Sequence, residues 1–174
     1  TISEAIDKER QELVDVRNKS DFVIDTSVLK AQELKSLLLK NTKGTSEKSQ
    51  LTVRVYSFGF KYGEPKEANV VIDVRFLKNP YYVPELKELS GLSSEVFEYV
   101  MSSDKTKRFL KAWFALLDEI MPGYVKEGKR DLTIAIGCTG GQHRSVSIAR
   151  ETANYLKKHG YHVVEIHRDI KSKS

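Results

Sequence analysis

The stretch from residue 132 to residue 145 constrains the fold of this chain more than any other. Residues 132–136 are almost wholly apolar, a pattern that predicts a strand buried inside a sheet. Three glycines lie among the small residues from Gly137 to Gln142, and they predict a tight turn. A helix is then predicted to begin at His143 or Ser145. A buried strand that runs through a glycine turn into a helix is typical of α/β proteins.

The rest of the sequence extends this pattern. Further strands are predicted over residues 51–58, 70–72 and 161–166. An apolar stripe from Phe109 to Ile120 predicts an amphipathic helix that ends or is interrupted at Pro122 and Gly123. Residues 75–93 are predicted to form a long loop. Together these elements predict an α/β fold with a mixed or parallel sheet flanked by helices.

The first 50 residues are predicted to form a separate segment. Thr1 and Glu4 have the spacing of a capping box at a helix start, and residues 22–24 predict a short strand. A second helix is predicted from the spacing of Ala31, Leu34, Leu37 and Leu38. Residues 41–50 are polar and break the pattern. The predicted organisation is therefore a first domain over residues 1–43, a linker over 44–50 and a second domain over 51–174.

Composition excludes several classes of protein. The 174 residues are 40% apolar, which is enough for a core and too much for a disordered chain. No apolar run reaches the roughly 18 residues of a membrane span, and no signal peptide is recognised. The single cysteine, Cys138, excludes an internal disulfide and suits a reducing compartment, so we expect a cytoplasmic protein. The net charge of +5 is carried wholly by residues 51–174 and suggests an anionic partner, although a solvated basic surface explains it equally well.

The glycine loop, defined here as residues 137–145, is the strongest candidate for a functional site. Backbone amides of such a turn can point into one concavity, and the following helix adds free N–H groups and the positive end of its dipole. Arg144 supplies a planar fork that matches phosphate or carboxylate. These features predict an anion site that includes Cys138, Thr139, Gly140, Gly141, His143 and Arg144. A glycine turn that binds no ligand is the alternative.

Cys138 and Arg144 also permit an enzymatic interpretation. They are six residues apart and Ser145 follows, which is the Cys-x5-Arg-Ser pattern of tyrosine-phosphatase-like loops. In such a loop Cys138 would attack phosphorus while Arg144 holds the phosphoryl oxygens. However, Gly137 precedes the cysteine where such enzymes usually have histidine, and no general-acid aspartate is recognised. Whether the chain is an enzyme is therefore left open at this stage.

Asp73 and Arg75 follow the predicted strand 70–72 and fall on the same side of its end. The carboxylate suits sugar hydroxyls or an amine, and the guanidinium suits phosphate. A local ion pair is the alternative. His159, His162 and His167 show no metal-ligand spacing with Cys138, so no metal site is predicted.

Several ordered segments resemble one protein family. They are residues 57–63, 73–80, 84–86, 89–92 and 136–146. In this order they resemble the C-terminal domain of the RapZ/YvcJ family of nucleotide-binding RNase adapter proteins, from residue 51 to the end. Residues 1–43 resemble the tail of that family's N-terminal P-loop domain. No Walker A motif occurs in these 174 residues, so ATP or GTP is expected to bind upstream and this fragment is expected to need no cofactor.

The resemblance implies a function for the second domain. Its fold would be similar to a subdomain of phosphofructokinase, and the protein would form homo-oligomers. The domain would sense glucosamine 6-phosphate and would bind a small regulatory RNA and a protein partner. The ligand pocket implied in this way consists of Asp73, Arg75, Thr139, Gly140, Gly141, His143 and Arg144. RNA contacts implied in this way are Lys61, Arg144, Arg168, Lys171 and Lys173. Two departures favour the YvcJ branch, since Gln142 replaces a lysine and Tyr81 replaces a histidine of RNA-binding members. A domain that only oligomerises around a structural anion is a third interpretation.

Overall fold

The computed structural model describes residues 51–170 without a gap and part of the chain before them. The described residues of the first part are 2–14, 16, 19, 23–24, 26–27, 29–34 and 38. The chain divides into two compact units, Thr1–Gly44 and Thr45–Ser174. None of the helices in these described ranges is long and apolar enough to span a membrane.

The second unit is built on a sheet of four parallel strands. The strands are β1 (Thr52–Gly59), β2 (Val70–Asp73), β3 (Asp131–Cys138) and β4 (His162–His167), in the order β2-β3-β1-β4. The register places Val55 of β1 opposite Ile134 of β3 and Glu165 of β4. The predicted α/β fold is confirmed, and of the two predicted sheet types the parallel one is observed.

Within residues 51–170, four helices and two 3₁₀ turns accompany this sheet. The helices are α2 (Pro84–Lys87), α3 (Ser94–Ser102), α4 (Asp104–Lys126) and α5 (Arg144–Lys158), and the turns are Phe60–Tyr62 and Pro80–Tyr82. α3 is capped by Ser93, whose hydroxyl accepts a hydrogen bond from Val96 N at 3.4 Å. α5 is the helix predicted after the glycine loop, and it packs against β1, β3 and β4.

Two local predictions for this unit are wrong. The predicted loop 75–93 contains the turn Pro80–Tyr82 and helix α2. The helix predicted to end or break at Pro122 and Gly123 instead continues through them to Lys126. Its apolar stripe explains this, since Met121 is buried before the proline and Val125 packs against the core after it. That burial offsets the backbone hydrogen bond that proline cannot donate.

The core lies between the sheet and the helices. Val53 and Val55 from β1 and Ile134 and Ile136 from β3 are fully buried, as is Ile148 of α5. Helix α4 adds a stripe of buried side chains, Trp113, Leu117 and Met121. These apolar residues recur at the period of a strand or of a helix, so that one face of the element packs against the core. This periodicity is what allowed the elements to be predicted.

The first unit begins with helix α1 (Ile2–Glu12), in which no side chain is buried. Residues 31–34 are helical, as predicted for the second helix. The predicted strand 22–24 is not observed at Val23 and Ile24, which lie in irregular backbone. Thr1, Phe22 and Leu37, on which parts of these predictions depended, lie outside the described residues.

Candidate anion-binding site

The parallel arrangement brings the ends of all four strands to one edge of the sheet, which we call the carboxyl edge. Asp73 ends β2, Cys138 ends β3 and His167 ends β4. The segment after β1 joins them there, because Gly59 of β1 is in register with Cys138 and Lys61 N donates to Thr139 O at 3.1 Å. Ligands of open α/β sheets bind at this edge. The predicted site residues of β2 and of the glycine loop are therefore on the same edge.

Close backbone packing fixes the glycine loop. A Cβ atom on Gly59 would lie 2.6 Å from the carbonyl carbon of Gly140, so only glycine fits where these two segments cross. Gly141 has φ +72°, and a Cβ atom on it would lie 2.8 Å from Gly59 N. The loop is further held by Gln142, whose backbone oxygen accepts from Gly91 N at 2.8 Å. These contacts explain why glycines occur at these positions in the sequence.

Arg144 lies inside this framework and is only 5% exposed. Its Nη1 donates to the backbone oxygens of Arg75 and Leu77, and its Nη2 lies 3.4 Å from Thr139 Oγ1. Its Nε is buried and has no hydrogen-bond partner. Within the described residues no carboxylate forms an ion pair with it. A buried cation that meets only neutral oxygens is costly unless an anion compensates its charge.

Asp73 and Arg75 form an ion pair beside Arg144. Arg75 Nε and Nη2 donate to both carboxylate oxygens of Asp73 at 2.7–3.0 Å. The hydrogen bonds from Arg75 lower the pKa of Asp73, and the charge of Arg144 lowers it further. Both side chains are about half exposed, and the guanidinium also stacks 4.2 Å from the centre of the Phe60 ring. The two groups lie on one side as predicted and remain accessible, while their role in ligand binding stays a prediction.

His143 is buried and faces a different segment. Its Nε2 lies 3.1 Å from Lys87 O, and because that oxygen can only accept, Nε2 carries the proton. Burial lowers the pKa of His143 below its ordinary value. The neutral imidazole therefore connects the start of α5 to the end of α2. The structure brings Arg144, Thr139, Asp73 and Arg75 together, but it pairs His143 with α2.

Cys138 is 3% exposed and belongs to the hydrophobic core. Its Sγ lies 3.1 Å from Ser145 Oγ, the hydroxyl that follows Arg144 in the loop. A nucleophilic thiolate has to reach an external phosphorus atom, and this sulfur faces inward. The geometry thus gives Cys138 a packing role at the base of the loop, and the enzymatic interpretation rests on the sequence pattern alone.

The residues predicted to contact RNA have different environments. Lys61 is exposed beside Tyr62, and Tyr81 is also exposed. Arg168 is half-buried and donates to Gly63 O at 2.7 Å and to both carboxylate oxygens of Asp169. Gln142 donates its side-chain amide to Asp169 O at 2.8 Å. Lys171 and Lys173 lie outside the described residues.

Sequence reasoning assigned no site role to Ser57 of β1 or to the polar residues at the end of β4. Ser57 Oγ lies 2.8 Å from His167 Nδ1, and His167 Nε2 lies 2.9 Å from Glu165 Oε1. This contact lowers the pKa of Glu165. Asp169 was missed as well, although its place directly after the last strand was a signal that it would lie at the carboxyl edge. No group of three or more His, Cys, Asp or Glu side chains within the described ranges is arranged to hold a metal ion.

Comparison with known proteins places this site in context. Residues 51–171 match the family model of the RapZ C-terminal domain. The chain is 49% identical over 167 residues to a nucleotide-binding protein of Lactobacillus acidophilus, covering 96% of this chain and 56% of that protein. It is 49% identical over 170 residues to a nucleotide-binding protein of Caldicellulosiruptor saccharolyticus, covering 98% of this chain and 58% of that protein. The chain thus spans less than two thirds of the length of these relatives.

Proposed function

Because this chain belongs to the RapZ C-terminal domain family, we propose that it is the regulatory domain of a RapZ-like adapter protein and holds a phosphorylated metabolite at its carboxyl edge. The ligand class is an amino-sugar phosphate. The observation that carries this proposal is the buried guanidinium of Arg144, which has an unpartnered Nε and no carboxylate partner within residues 51–170. An anionic ligand would give this guanidinium the directly bound negative partner that no carboxylate within residues 51–170 provides.

The neighbouring groups suit the remainder of such a ligand. A phosphate offers several acceptor oxygens, which match a guanidinium and the hydroxyl of Thr139. An amino sugar also carries an ammonium and hydroxyl groups, which match the carboxylate of Asp73. Asp73 is ionised at neutral pH, as an ordinary aspartate is, and the hydrogen bonds from Arg75 and the charge of Arg144 lower its pKa further. The carboxylate of Asp73, which is bound by Arg75 and lies close enough to Arg144 to feel its charge, thus favours a ligand that carries both signs of charge.

Thermal unfolding of the chain with a panel of anions tests this proposal. The panel contains glucosamine 6-phosphate, glucose 6-phosphate, UDP-N-acetylglucosamine and sulfate. A ligand at 100 times its dissociation constant adds about 2.7 kcal/mol to the free energy of unfolding. We expect a selective shift with glucosamine 6-phosphate that is lost in Arg144→Ala and weakened in Arg144→Lys, which keeps the charge but not the fork. A flat response of the wild-type chain to every phosphorylated compound at millimolar concentration contradicts the proposal.

A turnover assay on the same phosphorylated compounds separates the phosphatase interpretation from binding alone. If Cys138 were a nucleophile, Cys138→Ser would abolish turnover of a phosphorylated substrate and retain the substrate. If the loop only binds, the wild-type chain has no turnover to lose, and Cys138→Ser shows the wild-type thermal shift. The inward position of the thiol favours binding.

The proposal extends to the partners of the whole protein. Lys61 and Arg144, with Arg168, Lys171 and Lys173, would contact the phosphates of an RNA, and the parts of the protein outside this chain would bind ATP or GTP. Because phosphate contacts release counterions, RNA binding should weaken steeply with salt. A gel-shift series of a short RNA hairpin from 50 to 200 mM salt tests the proposed RNA binding, and salt-independent binding contradicts it.

We also propose that the protein is a cytoplasmic homo-oligomer that contacts a protein partner.

A further inference from the structure

One carboxylate sits among the loops of the carboxyl edge, and no role has been assigned to it above. Asp169 follows β4, and its side chain is 11% exposed. One carboxylate oxygen, Oδ2, accepts from the backbone N–H of Gly59 at 2.7 Å. Both oxygens also accept from Arg168, at 2.9 Å each. The carboxylate therefore has three charge-assisted hydrogen bonds, which are stronger than neutral ones.

The backbone around Asp169 is tied to the same edge. Its carbonyl oxygen accepts from the Gln142 side chain at 2.8 Å. The preceding backbone N–H, of Arg168, donates to Ser57 O at 3.1 Å. A Cβ atom placed on Gly141 would lie 2.8 Å from the Cβ of Asp169, so the two residues are in direct contact. Asp169 thus touches β1 on one side and the glycine loop on the other.

We propose that Asp169 is a positioning residue that holds the glycine loop in the geometry required for its anionic ligand, an inference that rests on the function proposed above. It does so by fixing Gly59, which lies so close to the loop that an added Cβ would be 2.6 Å from Gly140 C and 2.8 Å from Gly141 N. A shift of Gly59 would move these two glycines and the start of α5, where Arg144 lies. Binding sites need such supporting contacts because small displacements of the contacting groups lower affinity.

Charge makes this proposal testable by the sign of an effect. A carboxylate near an anion site repels the ligand, so its removal should tighten binding if Asp169 acts only through its charge. Removal should weaken binding if Asp169 positions the loop. Arg168 already neutralises the carboxylate in the folded protein, which makes the electrostatic gain small.

The experiment titrates glucosamine 6-phosphate into the whole chain by calorimetry. We expect Asp169→Ala to weaken binding by about tenfold, the size of one charge-assisted hydrogen bond. Asp169→Asn keeps an oxygen that can accept from Gly59 N–H, so it should restore most of the affinity. Asp131→Ala is the matched control, because Asp131 pairs with Arg54 at 2.8 Å at the opposite end of β3. Unchanged or tighter binding by Asp169→Ala, with Asp131→Ala unchanged, overturns the proposal.

A second measurement separates this inference from the proposed function. Amide spectra of the wild-type chain and of Asp169→Ala, which removes the acceptor for Gly59 N–H, report the loop without any ligand. We expect the Gly59 amide proton to lose the downfield shift of a charge-assisted hydrogen bond, and the amides of Gly140 and Gly141 to move with it. If the wild-type chain binds no phosphorylated compound and these amides still move together, the proposed function fails and the positioning contact stands. If Gly59 alone moves, the positioning role is wrong.

Discussion

The carboxyl edge and the helix junction are two polar regions of the same unit, and they satisfy their polar groups differently. The helix junction consists of Trp113, Phe114, Asp118, Thr152 and Tyr155, where α4 meets α5. Trp113 Nε1 donates to Thr152 Oγ1 at 3.1 Å, and the Tyr155 hydroxyl lies 2.7 Å from both oxygens of Asp118. At the carboxyl edge, by contrast, Arg144 Nε is buried without a partner.

This difference separates a structural polar network from a candidate binding site. The indole of Trp113 and the hydroxyls of Thr152 and Tyr155 find their partners within the protein, so nothing there requires a ligand. The adjoining cavity, lined among others by Leu117, Met121 and Tyr161, has a volume of about 60 Å³. That is room for a few waters, well below the roughly 300 Å³ of a small-molecule site. The buried Nε of Arg144, which has no hydrogen-bond partner, is the better indicator of function.

The largest effect is expected from Gly141→Ala at the carboxyl edge. Its Cβ would meet Asp169 Cβ and Gly59 N at 2.8 Å, and its φ of +72° disfavours a side chain. We expect a loss of about 3 kcal/mol in the free energy of unfolding, since left-handed backbone and overpacking each cost about 1–3 kcal/mol. Urea denaturation measures this loss.

The neighbouring glycine provides the matched control. A Cβ on Gly140 would meet no atom within 4 Å, and Gly140 does not have positive φ. We therefore expect Gly140→Ala to leave stability within about 0.5 kcal/mol of the wild type. Equal losses in the two variants would mean that the loop is not fixed by its contact with Gly59 and Asp169.

At the helix junction the largest effect is expected from Trp113→Phe. The change removes the only indole donor to Thr152 and shrinks a side chain that is 3% exposed. The lost hydrogen bond and the small cavity should together lower the free energy of unfolding by about 2 kcal/mol. The thermal shift caused by glucosamine 6-phosphate should be unchanged, because the junction has no role in the proposed site. A lost ligand shift in a folded Trp113→Phe protein would break the distinction between the two regions.

The sequence predicted those parts of the molecule that depend on local patterns. The four strands were recognised from apolar runs and alternation, and the glycine loop from its glycines and Arg144. Asp73 and Arg75 were placed on one side of a strand end, and their bidentate contact agrees with this. In each case the prediction depends on residues close together in the sequence, through a burial pattern or a spacing of two residues.

Contacts between distant residues could not be predicted in this way. Asp169 and Gly59 are 110 residues apart, as are Ser57 and His167. His143 was assigned to the ligand, but the structure pairs its imidazole with Lys87 O, 56 residues away. Pro122 was read as a helix breaker because the burial that offsets it is supplied by the core. Only the assembled sheet reveals these partners.

A smaller effect at the helix junction is expected from Tyr155→Phe. The ring stacks on Phe114 with 4.0 Å between centroids, and the variant keeps this contact while losing the hydrogen bonds to Asp118. Because this hydrogen bond is exposed, we expect a loss of about 1 kcal/mol or less at pH 7. Tyr82→Phe, in a side chain that is 81% exposed, should leave stability unchanged.

The pH dependence of that loss has a definite sign. The hydrogen bond to Asp118 raises the pKa of Tyr155 to about 12. A group whose pKa is raised on folding stabilises the protein fully below its unfolded pKa, near 10 for tyrosine, and loses this effect as the pH rises through the folded value. The stability difference between wild type and Tyr155→Phe should therefore shrink from pH 10 to pH 12. A difference that stays constant over this range would show that the hydrogen bond does not contribute.

The smallest effect is expected from Gln142→Lys, which adds a cation at the carboxyl edge. The variant loses the amide contact to Asp169 O, which is worth about 1 kcal/mol, and gains a charge that can reach an RNA phosphate. The lost hydrogen bond weakens RNA binding and the added charge strengthens it, so RNA affinity should rise by only about two- to threefold. The salt dependence is the sharper readout, since one added phosphate contact steepens the slope of log affinity against log salt by about 0.7 for a single strand. Asn154→Lys places the same charge on the exposed surface of α5, in the turn before Lys158, and should leave the slope unchanged. Equal slopes for the two lysine variants would show that RNA responds to net charge alone and that the carboxyl edge has no special part in binding it.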